Sequence, residues 1–331
     1  MDLEAYSAAH RDEWRRLGEL AAKRRFTGAE ADELIERYRA GASQLSAMKT
    51  SAGRSVQGDR LSLVLSRARL RFTGTGTNVL HQLTVFFAVQ LPAALYRVRY
   101  TTLAVAAATT AVAALYAVWI ASNPEVLAGL GPYEQLRRYA EQEFVGYYSD
   151  RAEASFGAQV WTNNAFIAAQ CVAFGITGVW VPVVLFQNAQ GLGTAAAVMH
   201  EFGRLDHFFL YISPHGQLEL YSVFVAAAAG LMIFWSWVAP GARTRSQALA
   251  EDGRALFTIV IGLILSLLVS GIVEGYVTRQ DWPWPIKIGI GAIALAAFLW
   301  YQWGLGRRAF RAGQTGDLEA FEAGARRIVA A

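Results

Sequence analysis

Charge is scarce in this 331-residue chain, and cysteine is almost missing. Only 17% of the residues are charged, while 54% are hydrophobic, and soluble domains carry about 25% charged residues. Cys171 is the single cysteine, which excludes an intrachain disulfide and any zinc site built from cysteines. The N-terminal residues also lack the apolar core and cleavage site of a signal peptide. This composition is typical of an integral membrane protein.

Motifs for catalysis and cofactor binding are missing as well. There is no Gly-x-Ser-x-Gly sequence, and HEFGRLDH (200–207) lacks the spacing of the zinc-binding HExxH motif. The glycine-rich stretches TGTGT (73–77) and QNAQGLG (187–193) lack the strand–loop–helix context of a phosphate loop. A net charge of +4 comes without a nucleic-acid recognition motif. We therefore predict no catalytic residue, no cofactor, no metal and no nucleic-acid partner.

The apolar runs predict an all-α, polytopic membrane protein. Runs of about 20 apolar residues can cross the hydrocarbon core, and six occur, at 102–121, 163–186, 188–211, 215–238, 254–277 and 286–305. They form a predicted transmembrane domain over 102–305. Before it, residues 1–76 read as two or three amphipathic helices, with a break at Thr27–Gly28, and 77–101 as an amphipathic helix in the membrane interface. Residues 306–331 form a tail.

Arginine counts predict the orientation. Residues 1–101 hold 16 basic and 10 acidic residues, a net +6, and 241–254 and the tail add three and five arginines. The segment 123–161 holds three basic and six acidic residues. The positive-inside rule therefore places both termini in the cytoplasm of a bacterial inner membrane and 123–161 outside.

The outer segment 123–161 is expected to contain a helix after Pro132. Its apolar residues follow helical spacing, which predicts a face that rests on the membrane or on a partner. The residues of this face are Tyr133, Leu136, Tyr139, Ala140 and Phe144.

Polar residues at the ends of four predicted spans are expected to converge in the outer leaflet. An ionisable residue in a span is costly and is usually functional. One alternative is helix capping by Ser213, Pro214 and the asparagine pair. Another is a polar pocket for an ion, a headgroup or a partner, and a third is a metal site where His200, His207 and His215 meet. The candidate cluster is Asn163, Asn164, His207, His215, Gly216, Glu219 and Glu274.

Small residues predict turns and close helix contacts. Gly175 and Gly178 are expected to form a packing face, and Asn188, Gly191 and Gly193 a tight cytoplasmic turn between the second and third spans. The same small faces predict a homo-oligomer.

Two of these segments carry a resemblance to a known family. In ISPHGQLELYSV, Pro214-His215-Gly216 precedes Glu219, and TNNAFIAAQCVAFGITGVW opens with Asn163-Asn164. These segments and NAQGLG resemble the stage II sporulation protein M family of bacterial membrane proteins, over about residues 95–305. The resemblance implies an inner-membrane protein without established enzymatic activity. The namesake works with peptidoglycan-degrading partners during engulfment.

Two functions are therefore expected from the sequence. The first is a non-catalytic protein that organises or anchors an envelope-associated complex, with the bilayer and envelope or cytoplasmic proteins as partners. The alternative is a transporter or channel that binds an ion, a polar solute or a lipid headgroup at the outer-leaflet cluster.

Overall fold

The computed structural model of the chain describes residues 3–23, 25–52, 55–72, 79–149, 153–278 and 280–317. Helices dominate these ranges, and no strand occurs in them. The all-α prediction is therefore confirmed for the described part of the chain. The chain divides into two compact units, Met1–Gln82 and Leu83–Ala331.

The first unit contains three helices, as the amphipathic patterns predict. They are α1 (Leu3–Ala22), α2 (Gly28–Ala52) and α3 (Val56–Phe72). The break before α2 has a capping box, in which the Glu30 amide donates to the Thr27 hydroxyl at 3.3 Å and the Thr27 amide donates to the Glu30 carboxylate at 3.1 Å. The helices enclose a separate core of Leu17, Leu20, Ala21, Leu34, Met48, Leu61, Leu65 and Ala68.

The second unit is a helical bundle. The unit boundary falls within the helix α4 (Val79–Val85). The helices that follow it are α5 (Leu91–Arg97), α6 (Arg99–Ala121), α7 (Pro124–Gly129), α8 (Tyr133–Arg138), α9 (Phe144–Ser149), α10 (Glu153–Ala173), α11 (Trp180–Glu201), α12 (Leu205–Val238), α13 (Arg245–Val273), α14 (Trp284–Trp300) and α15 (Gly306–Arg311). π-Helical turns occupy Phe86–Gln90, Tyr139–Glu143, Glu274–Thr278 and Tyr301–Leu305. Helix α12 is the most buried of the long apolar helices in the described part and packs against α6, α10, α11, α13 and α14.

Four helices in the described part are long and apolar enough to cross a membrane. They are Arg99–Ala121, Leu205–Val238, Arg245–Thr278 and Trp284–Arg311, where the last two ranges include the π-helical turns. The first, fourth, fifth and sixth predicted spans fall on these helices. The second and third predicted spans, 163–186 and 188–211, do not each fall on one helix, because they cover parts of α10, α11 and α12. The six-span arrangement therefore stays a prediction.

The predicted turn at 187–193 is wrong. Asn188, Gly191 and Gly193 lie inside α11, and the chain turns instead between Ala173 and Trp180. Gly178 has a φ of 70° there, a left-handed conformation that glycine adopts without steric cost. The third predicted span, 188–211, is also broken, because a second left-handed glycine, Gly203 with φ 66°, separates α11 from α12.

The predicted helix caps at Ser213 and Asn163 are also wrong, because both helices begin several residues before these positions. Helix α12 begins at Leu205, so Ser213 and Pro214 lie inside it. Helix α10 begins at Glu153, ten residues before Asn163. The polar residues expected at the ends of these helices therefore lie about 15 Å along the helix axes, at 1.5 Å per residue.

Glycines allow close helix contacts in the second unit, among them those of Gly230 and Gly193. A Cβ atom on Gly230 of α12 would overlap the Cys171 carbonyl oxygen and lie 3.2 Å from the Gly175 Cα atom. A Cβ atom on Gly193 would lie 2.6 Å from the carbonyl oxygen of Ala113. Close backbone approach of this kind is typical of helices that associate in membranes.

The segment predicted to be extracytoplasmic forms a helix after Pro132, as expected. Helix α8 starts at Tyr133, and the following turns bury Ala140 and Phe144. These two residues pack against Val198, Met199 and Phe208, at the adjoining ends of α11 and α12. The predicted apolar face thus rests on the bundle itself.

The predicted interfacial helix at 77–101 is only partly a surface element. Residues Leu91 to Tyr96 of α5 are all buried, and α5 packs against α13 and α15. An amphipathic helix in the interface exposes one face to water, so this half of the segment is part of the bundle core.

A buried carboxylate fixes the connection between α12 and α13. Asp252 is 2% exposed and accepts hydrogen bonds from Arg97 of α5, from Arg243 at 3.1 Å and from the Ser236 hydroxyl. Glu251 also accepts from Arg243, at 2.7 Å. Hydrogen bonds to the two carboxylates raise the pKa of Arg243 well above its ordinary value.

Candidate functional site

A polar cavity of about 460 Å³ lies between α6, α10, α11, α12 and the π-helical turn after α13. Its apolar wall includes Leu185, Leu220, Val223 and Phe224. The polar side chains that line it are Thr109, Thr110, Asn163, Asn164, Gln187, Asn188, His215, Glu219 and Glu274. Five separate elements therefore direct polar groups into one space within an apolar bundle.

Helix α12 supplies two of the ionisable groups. His215 and Glu219 are four residues apart, which places them on the same face of a helix. Both are almost fully buried, at 5% and 7% exposure. The His215 Nε2 atom lies 3.9 Å from the Glu219 Oε2 atom.

The third ionisable group, Glu274, opens the π-helical turn Glu274–Thr278. π-Helical turns inside α-helices are frequent at functional sites. The Glu274 Oε1 atom lies 3.5 Å from the His215 Nε2 atom. Its Oε2 atom is buried and has no hydrogen-bond partner within the part of the chain that the structure describes. A buried carboxylate oxygen in this condition is costly and needs an explanation.

Neighbouring polar groups hold these side chains in place. The Asn164 amide donates to the Glu219 carboxylate. The Thr278 hydroxyl lies 3.4 Å from the His215 Nδ1 atom, on the side of the ring opposite the carboxylates. The Ser270 hydroxyl donates to the His215 carbonyl oxygen at 3.0 Å. The imidazole is thus oriented with Nε2 toward Glu219 and Glu274.

The cavity meets its helices at different points along their lengths. Thr109 and Thr110 are at the centre of the 23-residue helix α6, and His215 is about 15 Å from the start of α12. Glu274, in contrast, directly follows the last residue of α13. The depth of the cluster in the outer leaflet therefore stays a prediction.

The structure brings together most of the predicted site residues. Asn163, Asn164, His215, Gly216, Glu219 and Glu274 all line the cavity. His207 does not, because its ring pairs with Asp206 at 3.0 Å at the start of α12. His200 lines a different, mostly apolar groove. The predicted meeting of three histidines is therefore wrong.

Four polar lining residues and one supporting residue are missing from the predicted cluster; one of the four, Asn188, was predicted as a turn residue instead. Thr109 and Thr110 are adjacent hydroxyl residues at the centre of an Ala/Val-rich helix, and Gln187 interrupts an apolar run. Thr278 follows Glu274 at the same four-residue spacing that links His215 to Glu219. A polar residue in the middle of an apolar helix was the available signal.

The cluster is suited to binding positive charge. Within the described residues, the only basic side chain that pairs with Glu219 or Glu274 is that of His215. His215, Glu219 and Glu274 each offer one ligand atom to a metal ion, and these atoms all lie within 4.8 Å of one another. The structure thus provides a buried acidic site lined by amides and hydroxyls.

Two family models match the chain. The model described as "Stage II sporulation protein M" matches residues 103–279, which include every residue of the cavity wall named above. A second, described as "Domain of unknown function (DUF8413)", matches residues 4–74. No curated protein and no solved structure matches the chain.

Proposed function

We propose that the helical bundle of this chain, which belongs to the stage II sporulation protein M family and is a membrane protein of that family, is a transporter or channel for a small cation. The family model covers the four ionisable or amide residues at the centre of the cavity: Asn164, His215, Glu219 and Glu274.

The buried carboxylate pair carries this proposal. Glu219 and Glu274 are 7% and 1% exposed in a helical bundle, where ionisable groups are expensive and mark ion or substrate pathways. If these positions only filled space, apolar side chains of the same volume would often make the bundle equally or more stable. A bound cation offsets the cost of burying these groups and explains why they meet.

A second groove supplies a route from the cavity to the end of the bundle. This groove, of about 580 Å³, shares Thr110, Ala113 and Leu192 with the cavity wall. It follows α6 and α11 as far as Ser122 and His200, at the last residues of these helices. Because α6 and α11 touch at Ala113 and Gly193, a solute that leaves the cavity would pass along the surface of these helices that faces Phe208 and Phe209.

Flux through proteoliposomes tests the proposal. We expect the full chain to pass at least one of Na⁺, K⁺, Mg²⁺, Mn²⁺ or Zn²⁺, and Glu219→Gln to reduce that flux at least tenfold, a loss of about 1.4 kcal/mol or more in binding or passage. Glu125→Gln, an exposed change on α7, is the control and should leave the flux unchanged. Liposomes that pass none of the five ions would contradict the proposal.

The organising role expected from the sequence is a second candidate, supported by the surface of the first unit. Val56, Leu63 and Leu70 of α3 are 66%, 54% and 62% exposed and follow each other at seven-residue spacing. An apolar stripe at this spacing is suited to an amphipathic partner helix. A cytoplasmic or envelope protein could therefore dock on α3 while the bundle anchors the complex in the membrane.

Crosslinking of the full chain in cells tests the organising role. We expect specific partners to crosslink to the wild-type chain and to be lost from Leu63→Ser. Ser66→Ala, an exposed change on the same helix, should keep them. Partners retained equally by both variants would argue against docking on α3.

The proposed localisation is the bacterial inner membrane, with both termini in the cytoplasm. It is supported by the arginine-rich connector 241–254 and the acidic segment 123–161. Cys171 can be replaced by alanine to give a cysteine-free background. In intact cells a membrane-impermeant maleimide should then label Glu134→Cys and not Ala242→Cys. Labelling of both positions, or of Ala242→Cys alone, would contradict this orientation.

A further inference from the structure

We propose that His215, Glu219 and Glu274 bind a divalent first-row transition metal ion, Mn²⁺ or Zn²⁺, inside the helical bundle. This inference rests on the proposed cation site and names the class of its ligand. It departs from the expectation, drawn from the sequence, that the chain holds no metal. Two independent features of the structure support it: the arrangement of the ligand atoms, and a buried carboxylate oxygen that has no hydrogen-bond partner among the described residues.

The three ligand atoms converge on one point. The His215 Nε2 atom lies 3.5 Å from Glu274 Oε1 and 3.9 Å from Glu219 Oε2, and all ligand atoms lie within 4.8 Å of one another. Atoms that bind one metal at about 2.0–2.2 Å lie roughly 3.0–3.6 Å apart in tetrahedral or octahedral geometry. A shift of about 1 Å or less in the side chains would therefore complete the site.

Charge balance favours a divalent ion over a monovalent one. Two carboxylates are buried here, and the described residues place no lysine or arginine in an ion pair with either of them. A doubly charged ion neutralises both, whereas a single positive charge leaves one carboxylate uncompensated in an apolar bundle. The Glu274 Oε2 atom, which is buried without a hydrogen-bond partner, supplies a further ligand position.

The surrounding side chains match the support that metal ligands require. Thr278 approaches the Nδ1 atom of His215, so the Nε2 atom is directed at the metal position. Asn164 donates to the Oε1 atom of Glu219, while Oε2 faces His215. Hydrogen-bond partners that contact the ligands, and not the metal, fix the orientation of imidazole and carboxylate groups in metal sites.

The ligand types narrow the choice of metal. An imidazole with two carboxylates excludes a soft, thiolate-type site for Cu⁺, and the imidazole disfavours Mg²⁺ and Ca²⁺, which take oxygen ligands. Mixed nitrogen and oxygen ligands suit Zn²⁺, Mn²⁺ and neighbouring ions. The remaining positions face the cavity wall formed by Asn163, Gln187 and Asn188, where water or an amide oxygen can complete the coordination.

Metal binding by the purified full chain tests the assignment. After incubation with Zn²⁺ or Mn²⁺ and dialysis, elemental analysis should find about one ion per chain. Glu274→Gln, which keeps the shape of the side chain, should weaken binding by more than roughly 100-fold, and Asn164→Ala, which keeps all three ligands, by roughly 10- to 100-fold. Glu125→Gln should bind as the wild type does.

Two results would overturn the metal site. One is a wild-type chain that retains neither ion, and the other is a Glu274→Gln chain that elutes as the wild type does from size exclusion and binds metal equally well. If Glu274→Gln does not fold, the Asn164→Ala comparison decides. Ion flux separates this inference from the proposed transport. Stoichiometric metal binding without flux supports the metal site and contradicts transport. Flux of Na⁺ or K⁺ without metal binding supports transport and contradicts the metal site.

Discussion

Replacing Gly230 by alanine is expected to destabilise the bundle more than any other single methyl group added to α12. The new Cβ atom would overlap the Cys171 carbonyl oxygen and lie 3.2 Å from Gly175 Cα. Both contacts are with backbone, so no side-chain rotation can relieve them. Overpacking a close contact costs about 1–3 kcal/mol, and the backbone contact places this change at the upper end of that range.

Thermal unfolding of the detergent-solubilised full chain measures this effect. A loss of about 3 kcal/mol lowers the unfolding midpoint by roughly 6–12 °C in a domain of this size. Gly253→Ala in α13 is the matched control, because a Cβ atom there meets nothing within 4 Å, and alanine is the better helix former. Equal unfolding midpoints for the two variants would show that the backbone of α12 at Gly230 does not touch Cys171 and Gly175.

Replacing Asp252 by alanine is expected to loosen the end of the bundle where α5, α12 and α13 meet. The carboxylate is buried and holds Arg97, Arg243 and Ser236. Removing one member of a buried ion pair costs about 3–5 kcal/mol, because the remaining charge is left without its partner. The two guanidinium groups keep 24% and 33% exposure, so water offsets part of this, and we expect about 2–4 kcal/mol.

Glu251→Gln is the control for Asp252, since Glu251 contacts the same arginine but keeps 41% exposure. An exposed pair contributes about 0–1 kcal/mol, so the unfolding midpoint should fall little. A double-mutant cycle of Asp252→Ala with Arg97→Ala should show coupling, because the two side chains are in direct contact. Strict additivity would contradict the network at the α12–α13 connection.

The sequence predicted the helices better than the turns between them. The first predicted span ends where α6 ends, shortly before Pro124, and α8 begins directly after Pro132. Proline is favoured where a helix starts, so Pro124 and Pro132 mark the starts of α7 and α8. The turns on either side of α11 were misplaced by about ten residues, because the glycines at 187–193 were interpreted as a turn. Gln187 and Asn188 line the cavity instead, and Gly193 lets α11 approach α6 closely. The true turns lie at Gly178 and Gly203, whose positive φ angles no residue pattern discloses.

The members of the site were predictable, but their positions along the helices were not. Ionisable residues in apolar runs identified His215, Glu219 and Glu274, because burial makes such groups costly. Their positions along the helices depend on where α12 and α10 begin, at Leu205 and Glu153. The approach of Glu274 to His215 depends on the π-helical turn at Glu274–Thr278. Sequence spacing alone does not distinguish this turn from a regular α-helix.

The central claim is that Asn164, His215, Glu219 and Glu274 meet in one cavity inside the helical bundle. An electron cryomicroscopy structure of the full chain in lipid nanodiscs, prepared with Zn²⁺, tests it most directly. We expect density between the His215 imidazole and the two carboxylates, at the depth of Thr109 in α6. Glu219 or Glu274 facing lipid, or the four side chains spread over opposite ends of the bundle, would contradict it.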